Sequence, residues 1–182
     1  LNWNQLGEHN RMNALAAIAA ANHAGVSPQT SITALEKFQG VKRRMEIKGV
    51  VNGITIYDDF AHHPTAIATT IAGLRHRVGN ARILAVLEPR SNTMKQGVWK
   101  DDLAASLRDA EAVFCYTANL GWDAAGALRS LGDKVKTSDD IDALIKMIKQ
   151  AVKTGDQVLI MSNGGFAGIH GKLLAKLKTT TS

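Results

Sequence analysis

The segment Tyr57-Asp-Asp-Phe-Ala-His-His-Pro-Thr65 places two carboxylates and two imidazoles between a strand-like run and an alanine-rich helical pattern. In open α/β sheets, ligands bind where the end of a strand leads into a helix. A simpler interpretation is that one acid starts a loop and that Pro64 lies in the first turn of the next helix. That interpretation does not explain His62 and His63 together, so we predict a functional site here.

Two further loops carry groups suited to binding anions. In the segment 88–95, Arg90 and Lys95 flank small polar residues, a combination that favours carboxylate recognition. The segment 162–170 opens with Ser-Asn-Gly-Gly, whose backbone N–H groups could meet an anion at a helix N-terminus, or whose glycines could simply form a turn. Because all three loops follow predicted strands, a parallel sheet would bring them to one rim.

Amide and basic side chains near the start of the chain are candidate nucleotide contacts. Asn10 and Asn13 are three residues apart, so on a helix both amides share one face. An amide can donate to and accept from the edge of an adenine, although a cap and an exposed polar residue explain the pair equally well. Arg44 could stack on a purine or bind a phosphate. For Lys42 and Arg43 we favour a solvated basic turn.

The sequence contains no phosphate loop of the form Gly-x-x-x-x-Gly-Lys-[Ser/Thr], and the segment 165–168 lacks the spacing of a dinucleotide fingerprint. Asp58 and Asp59 could accept ribose hydroxyls or hold Mg²⁺, although adjacent acids are common on surfaces. His62 and His63 have no further Cys/His set beside them, so we expect no structural zinc site and assign no metal ligand. The chain therefore has no self-contained means of holding an ATP triphosphate.

The elements that would position these loops alternate between strands and helices. Helices are predicted at 10–23 and 28–38, the second capped by Ser27, and a hairpin joins strands 44–51 and 53–57 at Asn52-Gly53. Helices at 66–78, 98–108, 123–130, 138–152 and 166–177 then alternate with strands at 82–87, 112–116, 134–136 and 157–161. We predict an α/β fold with a Rossmann-like, mostly parallel sheet, helices on both faces, an antiparallel edge hairpin and two preceding helices.

Composition narrows the class of partner. The 182 residues are 45% hydrophobic and 21% charged, as in an ordinary globular protein, and no apolar run reaches the length of a bilayer span. The net charge of +6 fits a nucleotide or an acidic small substrate, and the dispersed basic residues argue against nucleic acid. The single cysteine, Cys115, lies in an apolar strand pattern and fits a reducing cytoplasm. We expect a cytoplasmic protein with small-molecule partners and no membrane partner; its oligomeric state stays open.

Several segments, taken in order, resemble the C-terminal part of the Mur ligases, the ATP-dependent amide-forming enzymes of peptidoglycan metabolism. The segment 7–17 is similar to Gly-x-His-Asn-x-x-Asn-x-x-Ala-Ala, and 38–46 to Phe-x-Gly-x-x-x-Arg-x-Glu. The segment 58–65 resembles the Asp-Asp-Tyr-Gly-His-His-Pro loop of the muramate-binding branch. The loops 88–95 and 162–170 are most similar to those of the murein peptide ligases.

The resemblance implies that residues 1–40 are the C-terminal helices of a central ATPase domain and that 41–182 form the C-terminal, amino-substrate-binding domain. The implied reaction joins L-Ala-γ-D-Glu-meso-diaminopimelate to UDP-N-acetylmuramate through an acyl phosphate. ATP and Mg²⁺ would both require the missing central domain, so we expect the chain alone to be inactive. Two alternatives stay open: the C-terminal domain of a UDP-N-acetylmuramate–L-alanine ligase, and a stand-alone α/β module that binds a nucleotide or an acidic peptide.

The resemblance also implies roles for individual residues. Asn10 and Asn13 would contact adenine, and Arg44 and Asp59 would reach the base and ribose. His62 and His63 are the catalytic candidates, although either could only pack. The candidate substrate-binding residues are His63, Arg90, Ser91, Asn92, Lys95, Ser162, Asn163, Gly164, Gly165 and Phe166.

Overall fold

The computed structural model describes residues 8–38 and 40–179. Its contacts divide the chain into two units, one ending at Lys42 and one starting at Arg43. The first unit contains helices α1 (Glu8–His23) and α2 (Pro28–Glu36). The hydroxyl oxygen of Ser27 accepts a hydrogen bond from the N–H of Thr30 at 3.2 Å, so the predicted cap of α2 is confirmed. The assignment of this unit to a central ATPase domain stays a prediction.

The second unit is built on one sheet of six strands in the order β1-β2-β6-β3-β4-β5. The strands are β1 (Glu46–Val51), β2 (Ile54–Asp59), β3 (Ile83–Leu87), β4 (Ala112–Tyr116), β5 (Val135–Ser138) and β6 (Gln157–Met161). Only β1 and β2 pair antiparallel; the other four pairings are parallel. The predicted mostly parallel sheet with an antiparallel edge hairpin is therefore confirmed.

The turn between β1 and β2 follows from two residues that tolerate a left-handed backbone. Asn52 and Gly53 have φ values of 52° and 75°, the positive pair that a two-residue hairpin turn requires. A Cβ at Gly53 would also lie 2.8 Å from Cγ2 of Thr154, so close packing adds a second reason for glycine. The turn leaves β1 at the edge of the sheet.

Helices cover both faces of the sheet. They are α3 (Pro64–Val78), α4 (Asn92–Lys95), α5 (Lys100–Ser106), α6 (Ala124–Ala127), α7 (Ile141–Ala151) and α8 (Ile169–Lys178), with 3₁₀ turns at Arg129–Lys134 and Phe166–Gly168. Buried side chains of β3 alternate between two cores: Ile83 and Leu87 pack with α3 and α5, and Leu84 packs with α7 and α8. This alternation follows from the period of two along a strand and confirms a sheet covered on both faces.

Two boundaries differ from prediction where they affect the site. We predicted that the second strand ends at Tyr57, but β2 continues through Asp58 and Asp59, which are therefore strand residues. The last helix does not start at 166; a 3₁₀ turn precedes α8 because Phe166 and Ala167 have positive φ values of 44° and 48°. In the part of the chain that the structure describes, no helix combines the length and hydrophobicity needed to cross a membrane.

Candidate functional site

The three loops that carry the candidate site residues begin next to one another at the carboxyl ends of the strands. Asp59, Met161 and Leu87, the last residues of three adjacent strands, are in register with one another. The N–H of Ser162 donates to the carbonyl of Asp59 at 3.1 Å, and the N–H of Glu88 donates to the carbonyl of Met161 at 3.1 Å. The structure thus brings the segments 58–63, 88–95 and 162–170 together on one rim.

The Asp59 carboxylate organises the backbone of this rim. One oxygen accepts from the N–H of Met45 at 2.9 Å, and the other accepts from the N–H of Ala61 at 2.8 Å and the hydroxyl of Thr70 at 3.3 Å. The residue is only 3% exposed. Three donors of this chain therefore hold the carboxylate that we expect to contact ribose.

Asp58 points to the opposite face of β2 and lies between two basic groups. One oxygen is 3.5 Å from Nε of Arg43, and the other is 3.3 Å from Nε2 of His170 on the first turn of α8. Burial lowers the pKa of His170, Asp58 raises it, and the neighbouring cations of Lys48 and Arg43 lower it further, so the net direction is downward. Glu46 is a weaker, raising influence.

Arg43 makes rim contacts that the sequence analysis missed. We favoured a solvated basic turn for it, but its Nη2 donates to the carbonyls of Ser162 at 2.5 Å and Gly164 at 2.7 Å. Its own carbonyl accepts from the N–H of Phe60 at 2.8 Å. The interpretation was wrong because these partners are about 120 residues away in sequence and a local pattern cannot reveal them. The only signal available in the sequence was the position of Arg43, close before the first strand of the hairpin whose second strand leads to Asp58.

Arg44, in contrast, is exposed, and its guanidinium carbon lies 5.8 Å from the centroid of the Phe60 ring. This arrangement leaves the outer part of the side chain open to solvent. Lys42 is also exposed, as predicted for a solvated basic position.

His62 and His63 make different local hydrogen bonds, and these assign their tautomers. Nδ1 of His62 lies 2.8 Å from the carbonyl oxygen of Phe60, so this nitrogen donates and Nε2 of the neutral ring is an acceptor. Nδ1 of His63 accepts from the N–H of Thr65 at 3.3 Å, capping α3, so Nε2 of the neutral ring is a donor. The two neighbouring imidazoles thus offer opposite hydrogen-bonding character.

His63 also contacts Trp99, which lies four residues after the segment 88–95 that carries Arg90. Its ring centroid lies 4.3 Å from that of Trp99 in an edge-to-face arrangement. Within this segment, Ser91 caps α4 through a hydrogen bond from the N–H of Met94 at 3.3 Å. Three of the predicted substrate-binding side chains here, Arg90, Asn92 and Lys95, are exposed.

The segment 162–166 contains both buried and open groups. The hydroxyl of Ser162 donates to a carboxylate oxygen of Glu88 and accepts from the N–H of Gly164 at 2.9 Å. Oδ1 of Asn163 is buried and has no hydrogen-bond partner among the described residues. Gly165 is exposed. Phe166 is 0% exposed as a whole residue and its ring packs 5.7 Å from that of Tyr116, so it supports the segment from the core side and offers no surface to a ligand.

Gly164 lies directly against Arg90. A Cβ built on Gly164 would overlap Nη1, Cδ and Cζ of the Arg90 side chain. The missing side chain therefore makes room for the guanidinium group, and this contact places an exposed cation of the second loop beside the third loop.

Asn10 and Asn13 both lie on α1, as predicted, with Asn13 exposed and Asn10 half-buried.

Cys115 is fully buried, and burial raises its pKa to about 12, which confirms an unreactive core thiol. Across residues 8–38 and 40–179, the His, Cys, Asp and Glu side chains form no group of three that could hold a metal ion. Surface grooves of about 750 Å³ and 300 Å³ lie along α7 and beside β5, and neither includes a rim residue.

Comparisons with known proteins agree with this architecture. The pattern of the family described as Mur ligase, glutamate ligase domain, matches residues 43–164. The UDP-N-acetylmuramate–L-alanyl-γ-D-glutamyl-meso-2,6-diaminoheptandioate ligase of Escherichia coli (strain K12) is 52% identical over 174 residues, covering 94% of this chain and 38% of that protein. A crystal structure of a murein peptide ligase from Psychrobacter arcticus 273-4 is 45% identical, with a TM-score of 0.77, and the match covers 100% of this chain and 39% of that chain.

A more distant relative carries a different substrate in its name. The UDP-N-acetylmuramate–L-alanine ligase of Mycobacterium sp. (strain JLS) is 32% identical over 182 residues, covering 94% of this chain and 37% of that protein. The chain thus spans between 37% and 39% of the length of these relatives.

Proposed function

The chain belongs to the Mur ligase family, and from that premise we propose that it is the C-terminal portion of an ATP-dependent ligase. The proposed reaction joins the tripeptide L-Ala-γ-D-Glu-meso-diaminopimelate to UDP-N-acetylmuramate. Residues 1–40 would be the last helices of the ATPase domain, and 41–182 the domain that presents the amine. We place the reaction in the cytoplasm, where ATP is available.

The observation that carries this proposal is the contact of Arg90 with Gly164 on the shared rim. A guanidinium group binds carboxylates through two parallel hydrogen bonds, and the tripeptide is rich in carboxylates. Arg90 is exposed and lies next to the segment containing Asn163, whose side-chain oxygen has no partner among the described residues. The exposed cation suits the acidic groups of such a substrate, and the unsatisfied amide oxygen on the neighbouring segment suits an amino group.

The contribution of this domain to catalysis would be orientation. Holding an amine in line with an activated carboxylate replaces a bimolecular encounter and can lower the barrier by about 7–11 kcal/mol. We assign carboxylate binding to Arg90 and Lys95, with Ser91 and Asn92 beside them. We assign peptide contacts in the 162–166 segment to the side chain of Asn163 and the backbone of Gly164 and Gly165. Ser162 and Phe166, which are 1% and 0% exposed, would support this segment without touching the peptide.

The opposite tautomers of the two histidines support different roles for them. The Nε2 acceptor of His62 suits an amine that must lose a proton before attack. The Nε2 donor of His63 suits a carboxylate of the peptide. Both assignments keep His62 and His63 as the catalytic candidates.

The nucleotide would meet few groups of this chain. We propose that Asn10 and Asn13 contact adenine, that Arg44 packs on the base, and that Asp59 faces the ribose. Arg44 fits best because it is exposed. Asp59 fits less well, since three donors of this chain already occupy its carboxylate.

Ligases of this family use ATP and Mg²⁺, but the described residues do not form a site for either the triphosphate or the ion. The sequence has no phosphate loop, and the described acidic and imidazole side chains form no metal cluster. Both groups would therefore be held by the rest of the ligase, and we derive no step of the reaction through residues of this chain acting on them.

The alternatives differ in the amine. Identity of 52% to the tripeptide ligase, against 32% to the L-alanine ligase, favours the tripeptide. The deciding experiment offers the full-length ligase UDP-N-acetylmuramate and ATP with either tripeptide or free L-alanine. Product formation with tripeptide alone supports the proposal, and product with L-alanine alone refutes it. A protein that binds nucleotide or peptide but joins neither amine would favour a stand-alone binding module.

A further inference from the structure

Arg43 connects two of the three rim loops. Its Nη2 donates to the carbonyls of Ser162 and Gly164, two residues apart on the loop after β6. Its backbone is attached elsewhere: its N–H donates to a carboxylate oxygen of Glu46 at 3.0 Å, and its carbonyl accepts from the N–H of Phe60. One residue thus joins the start of β1 and the end of β2, through its backbone, to the third loop, through its side chain.

The guanidinium group of Arg43 is itself held in place. Its Nε is 3.5 Å from Asp58, and its central carbon lies 5.1 Å from the centroid of the Phe60 ring. Asp58 is 5% exposed and also approaches His170 at 3.3 Å. Arg43, Asp58 and His170 therefore form a half-buried cluster of polar side chains around one ion pair, which we call the rim cluster.

The rim cluster acts on Arg90 through Gly164. Arg43 binds the carbonyl of Gly164, and Arg90 occupies the space where a side chain at Gly164 would be. Any shift of Gly164 therefore changes the surface on which Arg90 rests. The position of the proposed peptide clamp depends on a residue that does not touch the peptide.

The rim cluster contributes little net stability to the fold, because burying its charged groups costs desolvation free energy. Buried ion pairs lose much of their attraction to desolvation, so such a cluster is weak evidence for stability. Two of its buried atoms, Oδ1 of Asp58 and Nε2 of His170, face each other at 3.3 Å, but their angles are poor for a hydrogen bond and neither atom has another partner among the described residues. We therefore attribute the rim cluster to the fixed geometry of the loop that it holds, and not to a gain in stability.

We infer that Arg43, held by Asp58, which itself lies 3.3 Å from His170, is a positioning residue that sets the geometry of the peptide-binding loop 162–166. The inference rests on the proposed function for its substrate. It assigns a role to Arg43, which lies beside the proposed nucleotide contact Arg44 but serves the other substrate.

The test compares Arg43→Lys with Lys42→Ala in the full-length ligase. Lysine keeps the charge but cannot reach two carbonyls and Asp58 at once. We expect the KM for tripeptide to rise at least about tenfold in Arg43→Lys, because small displacements of a positioned group have effects of that size or larger, while the KM for ATP changes less than about twofold. Lys42→Ala, which removes an exposed neighbour, should match the wild type. An unchanged tripeptide KM, or equal rises for both substrates, overturns the inference.

A second measurement does not depend on the substrate. Amide hydrogen exchange of the peptide covering 162–168 should accelerate in Arg43→Lys and in Asp58→Asn, and stay unchanged in Lys42→Ala. Unchanged exchange in both rim-cluster variants would refute the positioning role even if the tripeptide reaction fails. Faster exchange in a ligase that does not join tripeptide would preserve the inference and overturn only the proposed function.

Discussion

Replacing Gly164 with alanine would displace Arg90 without removing it. The new methyl group would overlap the outer atoms of the Arg90 side chain, and no backbone atom lies among its nearest neighbours. The φ of Gly164 is not positive, so alanine is not strained there. Because the clash is with the movable end of a side chain, we expect the free energy of unfolding to change by less than about 1 kcal/mol.

The expected effect on activity is much larger. A hydrogen bond to a charged group contributes about 1.5–3 kcal/mol, and about 1.4 kcal/mol corresponds to a factor of ten. If the methyl group moves Arg90 off the peptide carboxylate, the KM for tripeptide should rise about 10- to 150-fold, with the KM for ATP nearly unchanged. Steady-state kinetics of the full-length ligase, varying each substrate in turn, measures both.

The matched variants are Arg90→Ala, the double variant and Gly171→Ala. If Gly164→Ala acts only through Arg90, the double variant should be no worse than Arg90→Ala alone, which a double-mutant cycle resolves. Gly171→Ala adds the same methyl group on α8 with nothing within 4 Å, so its kinetics should match the wild type. Independent, multiplying effects of Gly164→Ala and Arg90→Ala would refute the contact as the cause.

Three further predictions concern stability and nucleotide use. Because the pKa of His170 is lowered in the fold, the unfolded chain binds its proton more readily, so stability should be complete above the ordinary value of 6.5 and decline as the pH falls below it; His170→Gln should reduce that decline in the urea midpoint. Glu111→Gln should cost up to about 1 kcal/mol in urea unfolding, since Glu111 pairs with Arg75 and accepts from the N–H of Ile83 but is partly exposed. The isolated chain should hydrolyse no ATP above background, and sustained metal-dependent turnover by pure protein would contradict the missing triphosphate site.

Elements with strong local signals were predictable from the sequence. Asn52-Gly53 specified the hairpin, because few residue pairs accept two positive φ values, and Ser27 specified the start of α2. The apolar runs 112–116 and 157–161 became strands with the predicted bounds. Alternation of these strands with helical patterns was sufficient to predict a sheet covered on both faces.

The chemistry of the rim was less predictable, because it depends on contacts between distant residues. The sequence indicated which loops would meet, but it could not show that Arg43 crosses to Ser162 or that Gly164 makes room for Arg90. Nor could it show that β2 extends to Asp59. Polar residues at the end of a strand resemble a loop locally, and only pairing with β6 shows that they belong to the sheet.

Because Asp58 and Asp59 extend β2 as strand residues, their side chains are fixed on opposite faces of the sheet. A loop would not impose this separation. Successive residues of a strand face opposite sides, so Asp58 meets charged groups near α8 while Asp59 anchors main-chain amides beside α3. Substitution of Asp58 would therefore change the charge beside Arg43 and the loop after β6, whereas substitution of Asp59 would release the amides of Met45 and Ala61. Two adjacent residues thus support two different segments of the rim, one on each face of the sheet.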